Sequence, residues 1–252
     1  MKCAVYAVTR NYYDDVIPSI KSLLMHSDVE KVYVLIEDDV FPHELPKECE
    51  CINVKDKRYF SRFGVNIIHP GSYMIMTRAA LYDLLPDADL VLSLDADTII
   101  DGDISELWDY PLGDNYFAAT MEPDRCIGDA IYCNTGVALY NLEKLRDGTG
   151  DAVVRMLNNR RMFFYEQDAF NEVCKGRIAA LPNEYNATQF TGECMAPKIV
   201  HYAGVRGWQH LPLVEQYRNV PWNEIRKPKR RRKNTRPSEV LPDNGRIYDE
   251  ML

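Results

Sequence analysis

Leu90-Val91-Leu92-Ser93-Leu94 reads as a strand buried on both faces, and it runs straight into Asp95-Ala96-Asp97. Two carboxylates at the end of a hydrophobic strand are costly unless they are paired or bound to a cation. The carboxyl ends of strands are also where open α/β sheets place their ligands. The run therefore predicts both a fold class and a site. Other segments agree with it. Residues 2–9 read as a first strand. The apolar positions Val16, Ile17, Ile20, Leu23 and Leu24 follow helical spacing, and residues 32–37 read as a second strand. After an irregular stretch to about residue 70, a helix is expected over 72–85, with Ser72 as its N-cap and Pro86 beyond its end. Further strands are expected near 116–120, 136–140, 178–181 and 198–201, and helices over 151–160 and 165–175. Short apolar runs alternating with helical patterns predict an α/β domain with a mostly parallel sheet.

At 252 residues the chain is long enough for one sizeable core. No apolar run approaches the roughly 20 residues needed to cross a bilayer. The N-terminal segment reads as a first buried strand rather than a signal peptide, so a cytoplasmic protein is expected. The seven cysteines are scattered, which predicts free thiols rather than a disulfide frame. From residue 222 onward the chain is rich in Pro, Lys and Arg and loses apolar periodicity. Residues 1–221 are therefore expected to form the domain and 222–252 a basic C-terminal tail. Arg226–Arg236 holds eight basic residues and no acidic one; without them the formal net charge of −8 becomes −16. A basic tail on an acidic body suits peripheral contact with an anionic membrane, and the acidic body argues against nucleic-acid binding.

Hard carboxylate ligands suit magnesium or manganese, and a histidine among them tilts the choice to manganese. An Asp-x-Asp pair alone is weak, since aspartates also cap turns after strands. Leu94-Asp95-Ala96-Asp97-Thr98-Ile99 also approaches the first motif of haloacid-dehalogenase-type phosphatases, whose first aspartate is a nucleophile. That class carries the motif on an early strand, whereas about ninety residues precede it here. Its second magnesium motif is missing too, because neither Gly113-Asp114 nor Gly128-Asp129 is followed by the required aspartate.

Three further segments accompany the metal-type strand. They are Tyr132-Cys133-Asn134-Thr135-Gly136-Val137-Ala138-Leu139-Tyr140-Asn141-Leu142, Glu166-Gln167-Asp168-Ala169-Phe170-Asn171, and His201-Tyr202-Ala203-Gly204. With them, residues 1–210 resemble the glycogenin-like retaining glycosyltransferases (family 8), which include bacterial lipopolysaccharide galactosyl- and glucosyltransferases. The resemblance implies a single GT-A, Rossmann-like domain that transfers a hexose from a UDP-sugar to an acceptor hydroxyl with Mn2+, or Mg2+ as the alternative. It places Asp95, Asp97 and His201 on the metal, and Ala7, Thr9, Asn11 and Tyr12 at the uridine, with Thr9 standing where an acidic residue is common. It places Arg78, Asn134 and Thr135 at the donor sugar, Ala96 and Gly204 among the donor-binding positions, and Glu166 and Gln167 beside the anomeric carbon.

A double displacement would need a carboxylate nucleophile on the far face of the sugar, with Glu166 the first candidate and Asp168 the second, although residues two apart on a helix do not share a face. The family favours front-face substitution, which assigns Gln167 to positioning. The family's Lys-Pro after His-Tyr-x-Gly is absent, and Val205-Arg206-Gly207-Trp208 follows Gly204 instead. Arg206 is then the expected partner of the leaving diphosphate, held through a planar fork rather than a point charge. That departure is the one feature favouring a UDP-sugar-binding protein without turnover. The acceptor, whether a glycan, a lipid-linked molecule or a protein, is not specified.

Overall fold

The structure is a computed structural model that describes residues 1–69, 71–128 and 130–225; the basic segment Arg226–Arg236 lies outside the described residues. The chain begins with β1 (Cys3–Ala7), α1 (Val16–His26), β2 (Lys31–Ile36) and β3 (Cys49–Asn53). There follow α2 (Ser72–Thr77), α3 (Leu81–Leu84), β4 (Leu90–Leu94) and β5 (Thr98–Ile100). Next come β6 (Phe117–Ile127), β7 (Ala130–Asn141), α4 (Leu142–Leu145), α5 (Thr149–Asn159) and α6 (Tyr165–Val173). The chain continues through β8 (Ile178–Leu181), β9 (Ile199–His201) and α7 (Pro212–Arg218).

Seven strands form one sheet in the order β3-β2-β1-β4-β7-β6-β8, and β5 pairs with β9 in a small second sheet. The β3-β2-β1-β4 half is parallel, β7 is antiparallel to both its neighbours, and β8 runs parallel to β6. The sheet is mixed and mostly parallel, as the alternating pattern predicts.

Strand periodicity divides the core between the two faces. On β1, Cys3 and Val5 join the helices α2, α3, α5 and α6, whereas Ala4 and Tyr6 join α1. On β4, Val91 faces the first group, and Leu92 and Leu94 face the second.

Three expectations need correction. The helix expected over 72–85 is interrupted: α2 ends at Thr77, Arg78–Ala80 forms a 3-10 turn, and α3 resumes at Leu81. Ser72 does not cap it, because Gly71 occupies that position and Ser72 Oγ accepts from the backbone N–H of Ile68 and His69 instead. The irregular stretch before residue 70 contains the edge strand β3, whose sequence Cys-Glu-Cys-Ile-Asn is only partly covered and shows no apolar alternation.

Trp222–Glu224 forms a 3-10 turn, and Trp222 packs against the α1-side core with Lys21 Nζ 5.1 Å from its ring centre. The seven cysteines are free. Among the described residues no helix is long and apolar enough to cross a membrane.

Candidate functional site

The loop after β4 is held from several sides. Asp95 N–H donates to Gly136 O at 2.8 Å, and Thr98 Oγ1 donates to Asp95 O at 2.8 Å. A buried chain of hydroxyls, Tyr6–Ser19 (2.9 Å) and Ser19–Thr98 (3.0 Å), ties this loop to β1 and α1. β9 then pairs antiparallel with β5, placing His201 opposite Thr98, and Tyr202 N–H donates to Asp97 O at 2.9 Å. This pairing brings a histidine more than a hundred residues away onto the two aspartates.

One ligand atom from each of Asp95, Asp97 and His201 falls within 4.8 Å of the others. His201 Nε2 stands 3.5 Å from Asp95 Oδ2 and 3.3 Å from Asp97 Oδ1. Gly136 makes the approach possible, since a Cβ there would lie 2.1 Å from His201 Cε1 and 2.8 Å from Asp95 Oδ2.

Burial pulls the His201 pKa down, but the hydrogen bond and charge of Asp97, with the charge of Asp95, outweigh it, and the net shift is upward. Asp97 shows the converse: burial pushes its carboxyl up, and His201 brings it below the usual range. The two carboxylates favour positive charge between them, which a divalent cation could supply. Two oxygen donors and one imidazole nitrogen converging on one point fit manganese or magnesium.

Arg78, buried in the 3-10 turn between α2 and α3, forms ion pairs with Asp95 on one side and Glu166 on the other. Its Nη1 also reaches Thr135 O at 3.4 Å. Burial works against the cation, yet the charges of Asp95 and Glu166 outweigh it and its pKa is raised. The break in the helix is therefore where the chain delivers a cation between two carboxylates. Glu166 is 1% exposed. Burial pushes its carboxyl up to about 7, with Arg78 opposing the shift. Among the described residues its Oε2 has no hydrogen-bond partner.

The neighbouring positions on α6 diverge. Gln167 Oε1 accepts from Thr135 N–H (2.9 Å) and Thr135 Oγ1 (3.3 Å), and its Nε2 donates to Tyr132 Oη (3.0 Å). Asp168 turns away: it accepts from Tyr132 Oη (2.6 Å) and from the backbone N–H of Phe163 (2.8 Å) and Phe164 (2.7 Å). Glu166 faces the aspartate cluster through Arg78, whereas Asp168 fastens the entry to its own helix, as spacing on a helix requires.

A cleft of about 720 Å³ opens beside the cluster, within the usual range for small-molecule sites. Ala7, Thr9, Asn11, Tyr12, Arg78, Asp95, Ala96 and Asp97 all line it. Asn134, Thr135, Glu166, Gln167 and His201 lie behind or beside it rather than on its wall. Gly204 and Arg206 occupy an exposed turn after β9, where Gly204 and Gly207 both take φ of +72°. The structure does not bring Arg206 to the cleft.

Several participants were missed in the sequence. Arg10 and Asp38 pair across the far end of the cleft, with Arg10 Nε 3.0 Å from Asp38 Oδ2, and Tyr13 Oη donates to the same carboxylate at 2.9 Å. Behind the metal-type cluster, Glu122 and Asn186 flank Asn134. Nothing in spacing or pattern pointed to these five residues.

A model of the family described as "Glycosyl transferase family 8" matches residues 3–211. The chain belongs to glycosyltransferase family 8. Among curated family 8 relatives, glycosyltransferase GlyE of Streptococcus pneumoniae serotype 4 is 25% identical over 89% of this chain and 57% of its own length. The lipopolysaccharide 1,2-glucosyltransferase of Escherichia coli K12 is 24% identical over 87% of this chain and 78% of its own. The probable glycosyl transferase Gly of Streptococcus gordonii matches 85% of this chain but only 35% of its own length, so the chain spans little more than half, or less, of some relatives. The crystal structure of the galactosyltransferase LgtC, with donor and acceptor sugar analogs, superposes with a TM-score of 0.66 at 21% identity, covering 88% of this chain and 98% of LgtC. The GlyE structure superposes at 0.64 with 23% identity, covering 89% of this chain and 62% of that one. The fold is GT-A. No support remains for the phosphatase reading of Asp95.

Proposed function

We propose that this family 8 protein is a retaining hexosyltransferase that uses a UDP-sugar and manganese, with magnesium as the alternative ion. The observation that carries the reading is the convergence of His201 on Asp95 and Asp97, the two of which line a nucleotide-sized cleft. Similar proteins agree in class: one relative is a glucosyltransferase, and one similar structure is a galactosyltransferase bound to donor and acceptor sugar analogs.

Asp95, Asp97 and His201 would hold the ion. When bound, it would neutralise negative charge that accumulates on the departing diphosphate. Ala7, Thr9, Asn11 and Tyr12 form the end of the cleft suited to the uridine, and Ala96 its wall between the two aspartates. Arg78 fixes Asp95 in place by pairing with it and with Glu166. Thr135 and Gln167 are locked together, which gives the cleft a rigid support behind the proposed sugar end.

The geometry favours front-face substitution over a double displacement. A carboxylate nucleophile must be ionised and free to attack. Glu166 is buried off the cleft wall, where burial raises its carboxyl pKa, and is tied to Arg78, and both oxygens of Asp168 are engaged. Glu166 and Gln167 then act by positioning, and the acceptor hydroxyl loses its proton to the leaving diphosphate.

The test is UDP release from a panel of UDP-sugars with manganese and no acceptor, comparing the wild type with Asp97→Ala. Metal-dependent release from one donor, lost in the variant, is the expected result. No turnover and no manganese-dependent UDP binding would overturn the reading. Binding without turnover would favour a donor-binding protein, the alternative that Arg206's place outside the cleft keeps in view. The acceptor remains a glycan, a lipid-linked molecule or a protein hydroxyl. For the second of these, membrane contact through Arg226–Arg236 is tested by salt-sensitive liposome binding with and without that segment.

A further inference from the structure

Behind the metal-type cluster lies a row of buried amides whose hydrogen bonds run in one direction. The row starts from a group that can only donate, the backbone N–H of Gly136, which stands 3.0 Å from Asn134 Oδ1. It is checked from the other side by a group that accepts when ionised: Glu122 Oε1 takes a hydrogen bond from Asn134 Nδ2 at 2.8 Å, while the other oxygen of Glu122 pairs with Arg125 at 3.0 Å. Asn134 can therefore point only one way. Its Oδ1 also receives Asn186 Nδ2 at 3.0 Å, which obliges Asn186 to turn its own oxygen toward the histidine. Asn186 Oδ1 stands 2.8 Å from His201 Nδ1. An amide oxygen only accepts, so His201 Nδ1 must carry a hydrogen. Nε2 is left to face Asp95 and Asp97.

We infer that Asn186 is a positioning residue for the metal site, fixing His201 in the tautomer that offers Nε2 as the ligand. The inference rests on the metal reading proposed above and adds a residue that neither the motif pattern nor the cleft lining indicates. Asn186 and Asn134 are buried, at 0% and 6% exposure, so no water competes for these hydrogen bonds. A neutral imidazole free to choose its tautomer would present a protonated Nε2 part of the time. Holding the hydrogen on Nδ1 removes that state and also fixes the plane of the ring. Gly136 enters twice, as the source of the directional row and as the residue whose missing Cβ lets the ring approach Asp95.

The decisive experiment is 15N-resolved NMR of the histidine ring nitrogens in the full chain bound to UDP and diamagnetic magnesium. It is paired with calorimetric measurement of manganese affinity in the presence of UDP for the wild type and for Asn186→Ala. In the wild type His201 is expected to show a slowly exchanging Nδ1–H and an unprotonated Nε2. Asn186→Ala should lose that protected signal and weaken manganese roughly 10- to 100-fold, the usual cost of removing a partner behind a metal ligand.

A protonated Nε2 in the wild-type complex overturns the inference, and this readout needs no variant to fold. Wild-type manganese affinity and an unaltered Nδ1–H signal in folded Asn186→Ala overturn it equally. If the wild type itself shows no metal-dependent UDP binding, the metal reading fails instead, and the two failures are thereby told apart.

Discussion

The two ends of the cleft are built by different means. At the proposed nucleotide end, the loop after β1 presents Thr9, Asn11 and half-exposed Tyr12, and the ion pair of Arg10 with Asp38 has an arginine side chain that is 80% exposed. At the proposed metal end, Arg78, Glu166, Asn134, Asn186 and His201 are buried, and their polar atoms are largely committed to one another. Water screens and substitutes at the first end, and it does neither at the second. Substitutions at the metal end should therefore be severe and coupled. Those at the nucleotide end should be mild and should act on substrate affinity.

The largest effect is expected for Asp97→Ala. Loss of a convergent carboxylate should lower manganese-dependent UDP release by more than about a hundredfold. Stopped-time assays across manganese concentrations would check it. If high manganese fully restored the rate, the metal end would be no more demanding than the nucleotide end, and the contrast would break.

Gly136→Ala should come next. The added Cβ would stand 2.1 Å from His201 Cε1, so either the histidine or β7 must move. Overpacking of this kind costs about 1–3 kcal/mol in stability. Manganese affinity should fall with it, measurable by calorimetry beside a melting curve. A variant with unchanged melting and unchanged affinity would mean the histidine has room to yield, contrary to the buried row behind it.

Much of this difference could be seen in the sequence, but unevenly. β1, α1, β2, β4 and β8 follow from apolar runs, because burial on a sheet face or a helix stripe leaves a periodic trace. β6 and β7 were legible only at their apolar ends. They continue through Glu122-Pro123-Asp124-Arg125, a charged stretch with register shifts and no alternation to read, and that extension carries Glu122 and Tyr132. Asp95, Asp97, Glu166, Gln167 and His201 were legible as motifs. Asn186 was not: it follows a 3-10 turn and reaches the site through tertiary hydrogen bonds alone. The break at Arg78 was hidden because Tyr73-Met74-Ile75-Met76 and Leu81 continue a helical apolar pattern across it.

The pH dependence of stability gives a third, smaller effect. Glu166 has its carboxyl raised from 4.5 to about 7, and His201 has its imidazole raised from 6.5. A group whose folded pKa is raised stabilises the fold fully below its unfolded pKa and loses that contribution as pH rises through its folded value. Metal-free protein should therefore lose stability as pH climbs from about 4.5 through 7 and on past the His201 titration. The Glu166 share is on the order of 3 kcal/mol. Asp97 acts in the opposite direction, its lowered pKa removing stability only in more acid solution, below 3.8. Denaturant titrations from pH 4.5 to 8.5 should show the decline, and manganese with UDP should abolish its upper part. The nucleotide end contributes little to this profile, so Asp38→Asn should leave its shape intact. A flat profile in the metal-free protein would show that Glu166 and His201 are better solvated than their burial implies.

The smallest effect is expected at Arg10. Its guanidinium lies in solvent over the cleft rim, and both of its contacts go to Asp38, which Tyr13 also holds. Exposed ion pairs of this kind are screened and contribute little to the fold. Arg10→Ala should leave the melting temperature and the manganese affinity unchanged and raise the KM for the donor a fewfold with kcat preserved, because the interaction would be equal in the ground and transition states. Asp38→Ala should do slightly more, since it strips a partner from Tyr13 as well. The split between KM and kcat is the sharpest form of the contrast: affinity alone at one end of the cleft, turnover at the other. A kcat that fell with Arg10→Ala would place the nucleotide end inside the chemistry and erase the distinction that burial draws.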